Sequence, residues 1–157
     1  MVVSVLVALA AFGLAAARTW WEGPAPHAPP HADLRGAPAK IPAEVVRVVD
    51  GDTFDARLRI APNRAITARV RLRGVDAPEL HARCEEERIE AEAARDFLKR
   101  LLGDGAVTIS HTGEEKYGRV LADVATGRTK NVSEALIAAG VARPYGGGHR
   151  AGWCGRG

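Results

Sequence analysis

Two stretches near the middle of the chain alternate apolar and polar residues. Phe54, Ala56, Leu58 and Ile60 interleave with Asp55, Arg57 and Arg59, and Ile66, Ala68, Val70 and Leu72 interleave with Thr67, Arg69, Arg71 and Arg73. A period of two predicts half-buried strands, and Ala61-Pro62-Asn63-Arg64-Ala65 between them predicts a short hairpin loop. Closed symmetrically about Asn63, the hairpin sets Asp52 opposite Gly74 and near Asp76; a one-residue slip would exchange the two faces. The period then changes. Ile89, Ala93, Phe97 and Leu101 recur at i+4, with Ala94 and Leu102 widening the stripe, which predicts an amphipathic helix over residues 85–102. Glu85, Glu86 and Glu87 favour its N-terminus, Lys99 and Arg100 its C-terminus, and Gly103 its end. Residues 106–110 and 120–124 read as two further strands. Asn131 caps a short helix, with Glu134 three residues on and Gly140 closing it. The periodicity supports an α+β domain with a mixed, mostly antiparallel sheet.

The N-terminal part follows other rules. Val2 to Ala17 is an apolar run between the length of a secretory h-region and that of a spanning helix. Ala15-Ala16-Ala17 fits a cleavage site, whereas Arg18, Trp20 and Trp21 fit the anchors of a retained helix. Residues 1–21 are therefore expected to be a signal peptide or a membrane anchor, and the protein secreted, periplasmic or tethered. Residues 22–42 hold six of the nine prolines and read as an extended linker, in which His27 and His31 are solvated. The folded domain is expected over residues 43–157. At 157 residues, 46% hydrophobic and 26% charged, the chain holds one packed domain and is not membrane-embedded, and its net charge of +3 permits an anionic partner without demanding one.

Candidate chemistry sits in three segments. Val48-Val49-Asp50-Gly51-Asp52-Thr53-Phe54 carries carboxylates at a hairpin-turn signal, and its spacing excludes an EF-hand, since Asp55 and Ala61 replace the required Gly and Glu. Val70 to Glu79 brings Arg71, Asp76 and Glu79 into a sharp turn, and Lys116-Tyr117-Gly118-Arg119 adds a second arginine. Each segment alone also fits a plain turn or a solvated arginine row. Together, oxygen ligands suit a hard cation, Ca²⁺ or Mg²⁺ rather than zinc. Planar guanidinium forks suit a phosphodiester that gains charge as it becomes five-coordinate.

The three segments, in this order, resemble the staphylococcal nuclease (thermonuclease) family, and the resemblance spans roughly residues 45–145. It implies a five-stranded OB-type β-barrel with two helices packed on it and a hydrolase that cleaves DNA and/or RNA with one Ca²⁺ ion. It implies Asp52, Asp76 and the carbonyl of Ala77 as metal ligands, with Asp50 beside them. Glu79 corresponds to the residue that positions or deprotonates the attacking water, Arg71 and Arg119 to the phosphate clamps, and Lys116 and Tyr117 to contacts with a neighbouring phosphate. Tyr145 is either a base-stacking platform or a packing residue. Ala77 departs from a common threonine and Glu115 from a common aspartate. The alternative reading is a non-catalytic OB-fold module that binds nucleic acid or another polyanion at the cell envelope; no obligate protein partner is implied. Cys84 and Cys154, the two cysteines, are open to three readings: a disulfide, a zinc site with His81 and His149, or free thiols.

Overall fold

The computed structural model describes residues 32–115 and 117–155. The apolar run at residues 2–17, the expected anchor or signal over residues 1–21, linker residues 22–31 and Lys116 lie outside the described residues.

Alternation builds a closed barrel. Strands β1 (Lys40–Asp50), β2 (Thr53–Ala61) and β3 (Arg64–Leu72) form an antiparallel meander, and β4 (Val75–Asp76) follows a turn. Helix α1 (Glu85–Gly103) leads to β5 (Val107–Glu115) and β6 (Arg119–Ala125), and α2 (Val132–Ala138) to β7 (Arg143–Pro144). The barrel order is β1-β2-β3-β6-β5, parallel only between β3 and β6, while β4 and β7 pair separately. Phe54, Ala56, Leu58, Val70, Leu72, Ile109, Ala122 and Val124 fill the interior, as the period-two pattern requires. This is the expected OB-type α+β barrel with two helices. Among the described residues no helix is long and apolar enough to cross a membrane.

Four details differ from the sequence expectation. β1 begins at Lys40, ahead of the boundary expected at residue 43, because Ile41 is a core residue and pairs with Ile109; Ala32, Leu34 and Ala37 also pack on the core. The β2–β3 hairpin turns at Pro62-Asn63, so Thr53 pairs with Arg71 and Asp52 lies beside Leu72, whose N–H donates to the Asp52 carbonyl. The displacement from the Asn63-centred register is two residues, which preserves every face. The buried stripe of α1 is Glu87, Ala91, Ala94, Leu98 and Leu102, while Ile89 is 57% exposed. A strict i+4 repeat advances about 40° per step around a 3.6-residue helix, so Ile89-Ala93-Phe97-Leu101 spirals away from the core and only its later members reach it. Finally, the arginine row of β3 is not a solvated face. Arg69 and Arg47 grip Asp55 at 2.8 Å each, and Arg71 is 3% exposed. Burial disfavours the Asp55 charge, but the Arg69 and Arg47 guanidiniums outweigh it and hold the carboxyl below its ordinary range.

The ends of α2 follow the expected chemistry, whereas α1 runs through Gly103, expected as its stop, and ends on Asp104, whose N–H donates to the Leu101 carbonyl. The Asn131 side chain accepts the Glu134 N–H at 3.2 Å, and Gly140 leaves the helix at φ +70°. Buried Glu87 turns back to accept the Arg83 N–H at 2.9 Å before α1. Cys84 and Cys154 are bonded, with Cα atoms 6.0 Å apart; neither sulfur is then a thiolate, and the zinc and free-thiol alternatives both fall. The bridge closes a separation of 70 residues, worth about 4 kcal/mol in the chain-entropy account. Replacing both cysteines by serine is expected to lower stability by that order in urea unfolding. An unchanged midpoint would mean that the tail does not constrain the unfolded chain.

Candidate active site

Two turns at one end of the barrel bring the acids together. Gly51 and Asp52 form the tight turn between β1 and β2, with Asp50 paired to Thr53. Gly51 has no room for a side chain: a Cβ there would lie 2.6 Å from that of Ala94 and 2.8 Å from that of Ala77. Its lack of one lets α1 and the Asp76-Ala77 segment close on the turn. The second turn reverses the chain after Leu72 at Gly74, with φ +76°, a conformation glycine adopts without steric penalty.

Asp52 and Asp76 are nearly sealed, at 3% and 1% exposure. One Asp52 oxygen accepts the Thr53 hydroxyl at 2.8 Å; the other accepts the Ala77 N–H at 3.2 Å and faces Arg71 Nη1 at 2.7 Å. Arg71 also donates to the Val75 carbonyl at 3.2 Å and approaches Asp76 Oδ1 at 3.9 Å. The expected pair of acids is thus joined through Arg71, although 24 residues of chain separate them. Asp50 and Glu79 are half-buried at the rim. Burial raises the proton affinity of both, reinforced by the negative charge of Asp52.

The other expected residues are placed less centrally. Arg119, half-buried, opens β6. The parallel pairing of Arg71 with Leu121 puts Arg119 on the outer barrel face that Arg71 shares, and it lines a groove with Leu34 and Arg35. Tyr117 is 79% exposed at φ +78°. Tyr145 is half-buried, and its hydroxyl donates to the Gly148 carbonyl at 2.7 Å. Ala77 is buried against the acids.

Sequence reading missed two arginines. Pairing of β4 with β7 sets Arg143 opposite Asp76, where Nε and Nη2 donate to Oδ2 at 3.0 and 2.7 Å. The same guanidinium stacks on Trp153 at 4.2 Å and donates to the carbonyls of Gly152 and Ala151. Arg150 reaches Glu79 Oε1 at 2.7 Å and Asp76 Oδ1 at 3.3 Å. Their sequence signal was indirect. A tail tied to Cys84, five residues after Glu79, must pass over the acids, but the pairing had to be known first.

The donor set is carboxylate oxygen, and among the described residues buried Asp76 Oδ1 has no hydrogen-bond partner. A buried polar atom without a partner is costly, and a carboxylate oxygen is the ligand type that fits a hard cation. The arrangement sets carboxylate oxygens that could hold a cation beside guanidinium donors.

Comparison with known proteins shows the family. The family model described as Staphylococcal nuclease homologue matches residues 69–150. A protein of Escherichia coli named Uncharacterized endonuclease is 32% identical over 107 residues, covering 68% of this chain and 63% of the relative. Protein ParB of Escherichia coli is 33% identical over 125 residues, covering 74% of this chain and 60% of the relative. Endonuclease YhcR of Bacillus subtilis is 32% identical over 109 residues, which are 64% of this chain but 9% of that protein. The chain thus spans less than two thirds of the length of these relatives. The matched segment runs from Arg69 within β3 to Arg150 in the tail, spanning Arg71, Asp76, Glu79, Arg119 and Arg143, and the chain belongs to the staphylococcal nuclease homologue family.

Proposed function

We propose that this chain is a calcium-dependent phosphodiesterase that hydrolyses DNA and/or RNA internally. The observation that carries the reading is the joining of Asp52 and Asp76 through Arg71 and of Glu79 and Asp76 through Arg150, with an Asp76 oxygen that is buried and has no hydrogen-bond partner among the described residues. Asp52, Asp76 and the Ala77 carbonyl would hold the ion, with Asp50 beside them. Bound calcium would supply Lewis-acid polarisation of a phosphoryl oxygen and a template for it.

The side chains account for the rest of the chemistry. Glu79, half-buried at the rim beside the acids, orients the attacking water and takes its proton. Arg71 and Arg119 donate to phosphorus-bound oxygens as charge develops there, which favours the transition state over the resting diester. Lys116 and Tyr117 contact a neighbouring phosphate, and Tyr145 flanks a base. The printed names of two relatives include "endonuclease", which supports the reaction class. The disulfide supports an oxidising compartment, in keeping with residues 1–21 acting as an export signal or anchor.

The test is digestion of plasmid DNA and of a structured RNA by the purified protein. Cleavage with Ca²⁺ that is lost in EGTA supports the proposal. Retention of the polyanion without cleavage in any divalent ion would replace it with the non-catalytic binding module.

A further inference from the structure

Asp76 lies beneath arginines, and one of them arrives on a segment held at both ends. Arg150 belongs to residues 145–154. At one end the Tyr145 N–H donates to the Gly74 carbonyl at 3.0 Å, and at the other Cys154 is bonded to Cys84. Trp153, 8% exposed, packs the second half down. Gly147 and Gly148, at φ +103° and +90°, turn the strap back over the acids, where few other residues would tolerate the backbone. From this strap Arg150 puts Nη1 2.7 Å from Glu79 Oε1 and Nε 3.3 Å from Asp76 Oδ1.

We propose that Arg150 is a tethered counter-cation of the acid site, competing with the divalent ion for Asp76 and Glu79 and thereby setting how tightly that ion is held. The inference rests on the metal-site reading above. Charge supports it. Asp50, Asp52, Asp76 and Glu79 carry four formal negative charges; Arg71 and Arg143 offset two, leaving the charge that one divalent cation matches. Arg150 takes the remainder to minus one, one charge short of matching a divalent ion, and so weakens the attraction for it. Geometry supports it too. Among the described residues Asp76 Oδ1 has no hydrogen-bond partner despite Arg150 at 3.3 Å, so the pairing is one of charge without alignment. A calcium–oxygen bond of about 2.3–2.6 Å draws on the same oxygen more closely. Arg150 also has somewhere to go: its side chain is 34% exposed and its guanidinium already lies 5.6 Å from the Tyr145 ring centroid. The tether keeps it at the rim, so the competition is intramolecular and persistent.

The experiment is calorimetric titration of the full chain with CaCl₂ at fixed ionic strength. Arg150→Gln should bind calcium at least about tenfold more tightly, since a like charge a few ångström from the ion is removed. Arg150→Lys, which keeps the charge, should stay within about threefold of the parent. Arg128→Gln removes the same charge from an exposed loop and should change nothing. The Cys84→Ser/Cys154→Ser protein, checked for fold by circular dichroism, should move with Arg150→Gln because the arginine loses its tether. Adding Arg150→Gln to it should then produce little more. Binding heat seen only with Arg150→Gln would also support the proposal. Unchanged or weaker affinity in Arg150→Gln, with calcium binding intact in the parent, overturns this inference alone and makes Arg150 a support for the acids. No calcium binding in any of the proteins overturns it together with the calcium reading.

Discussion

Asp76→Ala should abolish phosphodiester cleavage and also weaken the fold, by roughly 3 kcal/mol. The carboxylate is 1% exposed and faces Arg71, Arg143 and Arg150. Removing one partner of a buried pair leaves the others uncompensated, at a typical cost of about 3–5 kcal/mol. The low end applies because Arg143, 24% exposed, and Arg150, 34% exposed, keep some access to water. Urea unfolding reads the stability, and cleavage under conditions where the variant is folded reads the chemistry. A variant as stable as the parent would show that the three guanidiniums do not depend on this acid. Full cleavage by a folded variant would remove Asp76 from the metal site.

Arg71→Lys should lower kcat by about a hundred- to thousand-fold on a short single-stranded oligonucleotide, with little change in KM. Losing one donor aimed at developing charge costs about 2.7–4 kcal/mol, and a lysine cannot reproduce the paired fork. The structure adds a second reason. Arg71 is 3% exposed and bridges Asp52 and the Val75 carbonyl, so a shorter, single-pointed cation also loosens the link between the two turns. Arg119→Lys should show the same kinetic split without that loosening. Measurement at saturating calcium separates the two effects. Near-normal kcat with a raised KM would return both arginines to an ordinary anion-binding face, leaving the cleavage to the acids and the ion.

Local chemistry made much of this legible in the sequence. Alternation marked β2 and β3 and their inward faces, because a buried side of a strand must be apolar at every second position. Asn131 and Gly140 marked α2, because helix ends need a side-chain acceptor and a left-handed residue. The acids and arginines were legible as types: Asp52, Asp76, Glu79, Arg71 and Arg119 are what a hard cation and a phosphate require. Tertiary structure decided what depends on contact between distant parts. Which stripe of α1 is buried was set by Ala94 closing on the Gly51 turn, not by the apolar repeat through Ile89. The register of β2 on β3 was set by a two-residue turn at Pro62-Asn63, which composition alone did not distinguish from a longer loop. Most of all, Arg143 and Arg150 became site residues only through the β4–β7 pairing and the Cys84–Cys154 bond, which carry the tail across the acids. An exposed arginine and a site arginine are the same residue in the sequence. What separates them is the charge that the fold places within a few ångström.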